Sequence, residues 1–296
     1  AAYQWAGRGD GKAADAAATE AMRSVLGQAP GCGTVVIGEG EKDGAPMLFN
    51  GERLGDGDGP QFDIAVDPVE CTDLCAAGLP GALTTIAFAQ GGTLWSPGPA
   101  HYMDKLVAGA PARAAVDLTD DPQSIVQRVA ETLDKPVSEV GVIVLDKPRH
   151  AELVQVLREI GATVRTPSAG DVAGALLALM PGTGVDLLMG VGGTPEGVMT
   201  ACAVQSLEGA MQGRLAPQGD AEAEAIRESG LSTTEILGDR DLARGPALFA
   251  ACGVTGGDLL RAPWREGPLV YTESLLVCGG AVRWVVEATR ADLPTA

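Results

Sequence analysis

The stretch Val140-Gly-Val-Ile-Val-Leu145 is a short apolar run, and what surrounds it decides the fold class. Residues Arg149–Ile160 place apolar side chains at helical spacing, and Thr163-Val-Arg165 then predicts another strand. A helix is predicted before the run, at Pro122–Leu133. Strands that alternate with helices in this way are typical of βαβ units, so the sequence predicts an α/β fold.

The alternation continues in both directions from this stretch. Towards the C-terminus, the pattern predicts helices at Val172–Met180 and Pro195–Leu207 and strands at Val185–Met189, Ala247–Cys252, Leu269–Cys278 and Ala281–Ala288. Towards the N-terminus, it predicts a helix at Asp10–Leu26, strands at Gly33–Ile37 and Phe62–Val66, and a hairpin formed by Ala82–Phe88 and Thr93–Trp95. Because the alternation becomes more regular near residue 117, we expect two subdomains, residues 1–117 and 118–296.

Composition and charge exclude several function classes for this chain of 296 residues. With 39 acidic and 21 basic side chains, the formal net charge is −18, so the surface should repel nucleic acid and anionic lipid. The longest apolar stretch, Gly174–Met180, is far shorter than the roughly 20 residues needed to span a bilayer. The first residues show no signal-peptide pattern, and the six cysteines form no CxxC pair. We therefore expect a cytoplasmic protein with reduced thiols and with neither a nucleic-acid nor a membrane partner.

Five carboxylates stand beside predicted strand ends or glycines, where a metal site would place them. They are Asp15, Glu39, Asp67, Glu70 and Glu196. A ligand set made of oxygen, without histidine or thiolate, favours Mg²⁺ or Mn²⁺ over zinc. The alternative for any single member is an acid exposed in a turn.

The segment Asp67-Pro-Val-Glu-Cys-Thr72 carries the strongest chemical signal. It follows a strand that should be buried, and two acids there cost desolvation energy unless a ligand or metal compensates them. Pro68 suits the first position of a turn or helix, whose free N–H groups would face an anion. The segment therefore predicts a phosphate and a metal at one loop, with the Thr72 hydroxyl orienting a water for in-line attack on phosphorus.

Basic and glycine-rich segments in the second half could hold the rest of such a substrate. Asp146-Lys-Pro-Arg-His150 could bind its far end, although charges at a helix start explain the pattern equally well. Gly192-Gly193 would let the backbone approach a ligand closely. Tyr102 could hydrogen-bond a sugar or phosphate, or could be a half-buried strand tyrosine. For His150 we expect a structural role.

Six segments, taken in order, resemble the class II fructose-1,6-bisphosphatases of bacteria and cyanobacteria along nearly the whole chain. They are Gly7-Arg-Gly-Asp10 with Ala14-Asp15, Val36-Ile-Gly-Glu-Gly-Glu41 with Ala45-Pro-Met47, Asp63-Ile-Ala-Val-Asp-Pro68, Lys147-Pro-Arg-His150, Gly170-Asp-Val-Ala173 and Gly190-Val-Gly-Gly-Thr-Pro-Glu-Gly197. The resemblance implies a layered α-β-α-β-α sandwich of the lithium-sensitive sugar phosphatase type. It also implies that the 1-phosphate of fructose 1,6-bisphosphate is hydrolysed with Mg²⁺ or Mn²⁺, in gluconeogenesis or the Calvin cycle. Some relatives also take sedoheptulose 1,7-bisphosphate, and a homo-oligomer, dimer or tetramer, is expected.

The resemblance also assigns roles to individual residues. As metal ligands it implies Asp15, Glu39, Asp67, Glu70 and Glu196, and as catalytic residues Thr72, Glu70 and Asp67. As substrate-binding residues it implies Glu70, Cys71, Thr72, Tyr102, Lys147, Pro148, Arg149, Ala169, Gly170, Asp171 and Gly193.

Two positions depart from the family pattern. Cys71 stands where the family has glycine, and Ala169 replaces the first acid of an Asp-Gly-Asp segment. If the loop at Cys71 requires a positive φ, the side chain strains it and glycine would relieve that strain. The departures leave two alternatives open: a related phosphatase acting on another sugar or inositol phosphate, and a catalytically weak phosphosugar-binding protein.

Overall fold

A computed structural model of the chain describes residues 1–39, 41–42, 45–46 and 48–290. The chain forms two compact units. Unit 1 consists of Ala1–Leu94 and Gly245–Ala296, and unit 2 is Trp95–Arg244. In the described part of the chain, no helix has both the length and the apolar character needed to cross a membrane.

The described residues form eight α-helices and sixteen strands. The helices are α1 (Gly11–Leu26), α2 (Thr72–Ala77), α3 (Pro122–Thr132), α4 (Ala151–Glu159), α5 (Asp171–Leu179), α6 (Thr194–Ser206), α7 (Asp220–Glu228) and α8 (Asp239–Leu242). The strands are β1 (Cys32–Ile37), β2 (Glu41–Lys42), β3 (Ala45–Pro46), β4 (Arg53–Leu54), β5 (Gln61–Glu70), β6 (Leu83–Gln90), β7 (Tyr102–Ala108), β8 (Gly141–Ile143), β9 (Thr163–Arg165), β10 (Leu187–Gly193), β11 (Ala210–Leu215), β12 (Leu237–Gly238), β13 (Ala247–Gly253), β14 (Trp264–Glu266), β15 (Leu269–Cys278) and β16 (Ala281–Arg290).

Unit 1 is built on a mixed eight-stranded sheet in the order β14-β15-β13-β6-β5-β1-β4, and β16 pairs with β15. Helix α1 is capped by Asp10, whose carboxylate accepts the N–H of Ala13 in the first turn at 3.0 Å. The buried side of α1 packs Ala14 into one apolar cluster with Val69 of β5 and Cys75 of α2. This packing places Asp15, the next residue of α1, at the C-terminal end of β5.

Unit 2 has a six-stranded mixed sheet in the order β12-β11-β7-β10-β8-β9. Strand β8 pairs in parallel with both β9 and β10. The segment β8-α4-β9 is the expected βαβ unit. The apolar sides of α3 and α4 contribute Ile125, Val129 and Leu157 to a core cluster that includes Val142 of β8. The predicted α/β class is therefore confirmed, with two mixed sheets and packed helices.

Strand β5 is longer than the sequence pattern predicts. The expected strand Phe62–Val66 extends to Glu70, so the predicted turn or helix start at Pro68 is wrong. The pairing of β5 with β6 is irregular between Asp67 and Glu70. A proline can be accommodated there because a disrupted ladder does not need its missing N–H. The helix that follows, α2, begins only at Thr72.

The predicted hairpin of Ala82–Phe88 with Thr93–Trp95 is also wrong. Strand β6 forms, but its partners are β5 and β13. The reason is the buried carboxylate of Asp63, which accepts the N–H groups of residues 92, 93 and 94 at 2.9, 2.8 and 3.0 Å. These three N–H groups are thus used by a side chain instead of a neighbouring strand.

The division of the chain differs from the expected boundary at residue 117. Unit 2 begins at Trp95, and the chain returns to unit 1 at Gly245. The return follows from strand pairing, because β13 hydrogen-bonds to β6 and carries β14, β15 and β16 into the first sheet. A local pattern of apolar residues does not contain this long-range pairing.

Candidate functional site

In unit 1, the start of α2 meets α1 through the side chain of Thr72. The Thr72 hydroxyl lies 3.1 Å from Asp15 Oδ1 and 2.9 Å from the carbonyl oxygen of Val69, so it can donate to either. The close approach requires a residue without a side chain at Gly11, where a Cβ would lie 2.7 Å from Cγ2 of Thr72. The side chains of Asp15 and Thr72, 57 positions apart in the sequence, thereby contact each other.

Asp67 and Glu70 lie close together at the end of β5. They are three positions apart and would point to opposite faces of a regular strand. The irregular pairing between them turns the strand locally, and one carboxylate oxygen of Asp67 lies within 4.8 Å of one of Glu70. Glu70 is only 5% exposed, and Asp67 Oδ1 accepts the N–H of Val69 at 3.0 Å. Two carboxylates this close repel each other strongly when both are ionised.

This arrangement could hold a metal ion. The donors are carboxylate oxygens, and a cation between them offsets their mutual repulsion. Asp15 is connected to the same junction through Thr72, and burial together with the negative charge of Asp15 raises the pKa of the Cys75 thiol. Glu39 lies two residues beyond β1 and is half-buried. Among the described residues, its carboxylate does not belong to the group in which the oxygens of Asp67 and Glu70 lie within 4.8 Å of each other.

Cys71, between Glu70 and Thr72, has a left-handed backbone with φ of 66°. A positive φ at this position is what the strain hypothesis requires. Its sulfur lies 3.6 Å from Oε1 of Glu70, so the side chain stands directly beside the buried acid. A non-glycine residue in this conformation costs about 1–2 kcal/mol.

We expect Cys71→Gly to stabilise the protein by up to about 1 kcal/mol. The change removes the strain, and the greater flexibility of glycine in the unfolded chain offsets about 0.5–1 kcal/mol of the gain. The kcat/KM should also rise, by up to about tenfold if the strain is expressed in the transition state. Urea unfolding of wild type, Cys71→Gly and Cys71→Ala measures the stability difference. Because alanine keeps the Cβ, equal midpoints for the glycine and alanine variants would show that strain at this position is unimportant.

In unit 2, several of the expected substrate residues meet at the C-terminal end of β10. Tyr102 of β7 stands opposite Gly193 in the sheet register. The guanidinium carbon of Arg149 lies 5.3 Å from the centre of the Tyr102 ring, and its Nη2 donates to the carbonyl of Val191 at 3.0 Å. An exposed cation is thereby held over the aromatic ring, beside the glycine pair.

His150 has the structural role expected for it. Its Nδ1 pairs with the carbonyl of Leu145 at 2.7 Å, and its Nε2 accepts the N–H of Val191 at 2.8 Å. Nδ1 therefore carries the proton. Burial is the main cause that lowers the pKa of His150, and the charges of Arg149 and Lys147 act in the same direction. A neutral ring thus fastens β10 to the segment after β8.

A buried lysine that the sequence reasoning missed also belongs to this end of β10. Lys105 of β7 is 2% exposed; its ammonium pairs with the carboxylate of Asp171 and donates to the carbonyl of Gly193 at 2.7 Å. The glycine pair makes room for these groups, since a Cβ on Gly192 would overlap the Asp171 carboxylate. The sequence signal for this residue is that Lys105 directly precedes the apolar stretch Leu106–Ala108 in β7.

The other expected site residues of unit 2 lie at or just before the starts of α4, α5 and α6. Glu196 lies in the first turn of α6, and a Cβ on Gly193 would overlap its carboxylate. Gly170 precedes α5 with φ of 95°, next to half-buried Ala169. Lys147 is half-buried and Pro148 is exposed, in the short 3-10 turn before α4.

Comparisons with known proteins identify relatives along nearly the full chain. A family model described as "Bacterial fructose-1,6-bisphosphatase, glpX-encoded" matches residues 1–289. The chain is 40% identical over 293 residues to fructose-1,6-bisphosphatase 1 class 2 of Escherichia coli strain K12, covering 94% of this chain and 87% of that relative. The same identity and coverage are found for the class 2 fructose-1,6-bisphosphatases of Escherichia coli O6:H1 and Shigella flexneri.

Proposed function

Because the chain belongs to the glpX-type family of bacterial fructose-1,6-bisphosphatases, it is a sugar-bisphosphate phosphatase, and we propose that it removes the 1-phosphate of fructose 1,6-bisphosphate to leave fructose 6-phosphate. The single observation that carries the chemistry is the junction in unit 1 where Asp67 and Glu70 lie side by side, with Thr72 held by Asp15. This junction combines closely spaced oxygen ligands with a positioned hydroxyl.

The proposed metal ligands are the five carboxylates that the resemblance implies. They are Asp15, Glu39, Asp67, Glu70 and Glu196. The oxygen-only set supports Mg²⁺ or Mn²⁺. A divalent cation, when bound, supplies positive charge against the phosphoryl oxygens of the substrate.

Thr72 is proposed to orient the attacking water. A hydroxyl has one proton, and both Asp15 Oδ1 and the Val69 carbonyl lie within reach of it. When that proton is donated to either acceptor, an Oγ1 lone pair is available to accept a hydrogen bond from water. The water is then oriented with an oxygen lone pair directed away from Thr72, as in-line attack on phosphorus requires.

Unit 2 is proposed to bind the sugar and the distal phosphate. Arg149 offers a planar cation suited to a phosphate, and Tyr102 lies beneath it with a hydroxyl for hydrogen bonding. Asp171, locked by Lys105, can accept hydrogen bonds from sugar hydroxyls. The other proposed substrate contacts are Lys147, Pro148, Ala169, Gly170 and Gly193 in unit 2, and Glu70, Cys71 and Thr72 in unit 1.

Several finer points belong to the same proposal. Sedoheptulose 1,7-bisphosphate is a proposed second substrate, and a homo-oligomer is proposed as the working form. The net charge of −18 supports the absence of nucleic-acid and anionic-membrane partners, and the cytoplasmic location stays an expectation from the sequence.

Phosphate release from purified protein tests the proposed function. Metal-free protein should be inactive with fructose 1,6-bisphosphate and should regain activity with Mg²⁺ or Mn²⁺, whereas Ca²⁺ serves as a hard-cation control of different size. Sedoheptulose 1,7-bisphosphate and inositol phosphates tested in parallel define the substrate range. Turnover that resists chelation would overturn the metal assignment. Tight binding of fructose 1,6-bisphosphate without release of phosphate would favour a phosphosugar-binding protein.

Thr72→Ala should leave KM nearly unchanged and lower kcat by roughly 10²-fold or more, because it removes the group that orients the water. Thr72→Ser keeps the hydroxyl and is the matched control, for which we expect most of the activity. Steady-state kinetics separate the two parameters. A rise in KM with unchanged kcat would make Thr72 a binding residue only.

A further inference from the structure

Strand β16 is an edge that the established activity does not explain. Over its ten residues it pairs with β15, and it has no second strand partner among the described residues. Positions 283–290 are exposed, with Trp284 at 54% and Val286 at 55%. A long edge that exposes apolar side chains in this way is unusual, because it can pair with another chain.

Two apolar residues of β16, Trp284 and Val286, continue the buried side of the sheet, whereas Val285 lies on the other face. Trp284 stands opposite Leu275 of β15, which is fully buried, so both side chains lie on the same face. Val286 lies two residues further along the strand and shares that face. The core-facing layer of unit 1 therefore extends onto an exposed strand.

The turn before β16 fixes which backbone groups point outward. Gly279 and Gly280 have φ of 57° and 76° and form a two-residue turn between the paired residues Cys278 and Ala281. Residues that flank such a turn are a hydrogen-bonded pair, and this state alternates along the ladder. The odd-numbered residues of β16 therefore bond to β15, while the even-numbered residues direct N–H and C=O groups outward.

Two copies of β16 can pair antiparallel only in a register that joins even-numbered residues to each other. In the register centred on Val285, Trp284 pairs with Val286 of the partner subunit. The same register sets Arg283 opposite Glu287 of the partner subunit, and two-fold symmetry repeats both pairs. The charged pair occupies a non-hydrogen-bonded position, where facing side chains are closest.

Neighbouring registers lose this complementarity. Centring the pair on Trp284 sets Arg283 opposite Val285 of the partner subunit, and centring it on Val286 sets Glu287 opposite Val285 of the partner subunit. Both leave the charged residues without a partner of opposite sign. Within the chain, Arg283 and Glu287 face Leu276 and Thr272 on β15, so their charges are not matched there either. The pattern of charge along β16 is complementary to itself in one register.

We propose that β16 pairs antiparallel with β16 of a second copy of this chain, centred on Val285. The two sheets of unit 1 then join edge to edge, and the exposed apolar strip becomes continuous across the two-fold axis. The interface lies outside the proposed catalytic residues, so its test is independent of the proposed function.

Charge reversal on the full chain tests this interface by light scattering and sedimentation equilibrium. Wild type should form a dimer or a larger even-numbered assembly at micromolar concentration. Arg283→Glu and Glu287→Arg should each raise the dissociation constant at least tenfold, because each sets like charges opposite one another twice. The double variant should regain wild-type association. An equimolar mixture of the two single variants should form mixed dimers, because every cross-strand charge pair is then opposite.

Arg265→Glu, on exposed β14 of the same sheet, is the matched control and should leave association unchanged. Thermal unfolding of each variant verifies folding, and the mixing experiment reports on the register even if one single variant is less stable. A monomeric wild type would overturn the proposal. It would equally be overturned by single variants that still associate, by a double variant that does not recover, or by an equal effect of Arg265→Glu.

Discussion

Glu70→Gln is expected to lower kcat by at least about 10³-fold with fructose 1,6-bisphosphate. The proposed cation contributes several kcal/mol to stabilisation of the transition state, and each 1.4 kcal/mol is about tenfold in rate. Glu70 is 5% exposed and lies within 4.8 Å of Asp67, so its charge is central to the carboxylate pair. Glutamine keeps the shape and removes the charge. Phosphate release at several Mg²⁺ concentrations, together with calorimetric titration of Mg²⁺ into the protein, measures the effect.

Asp73→Asn is the matched control for this experiment. Asp73 is an exposed acid in the first turn of α2, three residues beyond Glu70, and we expect its variant to retain nearly full activity. Both variants should unfold at temperatures near that of wild type. If Glu70→Gln and Asp73→Asn reduced kcat equally, or if Glu70→Gln bound Mg²⁺ as wild type does, Glu70 would not be a metal ligand.

The sequence predicts the elements of this fold better than it predicts their pairing. Helix α1 and strands β9 and β15 lie almost where the apolar periodicity places them. The partners of β6 could not be predicted, because β13 joins it from about 160 residues further along the chain. The carboxylate of Asp63 decides the path after β6, and a hydrogen bond from a side chain to three backbone groups leaves no trace in hydrophobic spacing.

The candidate site shows the same division between local and long-range information. The segment from Asp67 to Thr72 stands out in the sequence because acids follow a buried strand. Its geometry depends on the irregular pairing of β5 with β6 between Asp67 and Glu70. The sequence predicts a turn at Pro68 there instead. The bond between Asp15 and Thr72 requires the packing of α1 on β5, and no local spacing contains it.

The burial of Lys105 is the feature of the site that the sequence predicts least well, and the reason is physical. A lysine that follows Asp104 in the run Tyr102–Ala108 is compatible with an outward-facing position, and only the positions of Asp171 and Gly193 show why it is buried. A buried charge must be paired, so a strand in which a lysine interrupts apolar residues should prompt a search for a distant acid. Here that acid is at the N-terminus of α5, 66 positions away.

Lys105→Met is therefore expected to destabilise the protein by about 3–5 kcal/mol and to raise KM. Methionine fills a similar volume but leaves the Asp171 carboxylate buried without its counter-charge, and breaking one side of a buried ion pair has this cost. The lysine also ties β7 to the start of α5 and to Gly193, so its loss should loosen the residues proposed to bind sugar. Urea unfolding measures the stability, and steady-state kinetics with fructose 1,6-bisphosphate give KM.

Two comparisons separate a buried charge from a general loss of packing. Adding Asp171→Asn to Lys105→Met removes the uncompensated charge, so the double variant should recover part of the stability, although not the low KM. Lys135→Met breaks the pair with Asp186 in the same unit and should cost less, about 1 kcal/mol, because the side chains are 22% and 15% exposed and Asp186 keeps the hydrogen bond from the N–H of Gly141. If Lys105→Met and Lys135→Met were equally mild, the burial of Lys105 would not matter to the fold. A double variant no more stable than Lys105→Met would show that lost contacts, and not the Asp171 charge, account for the destabilisation.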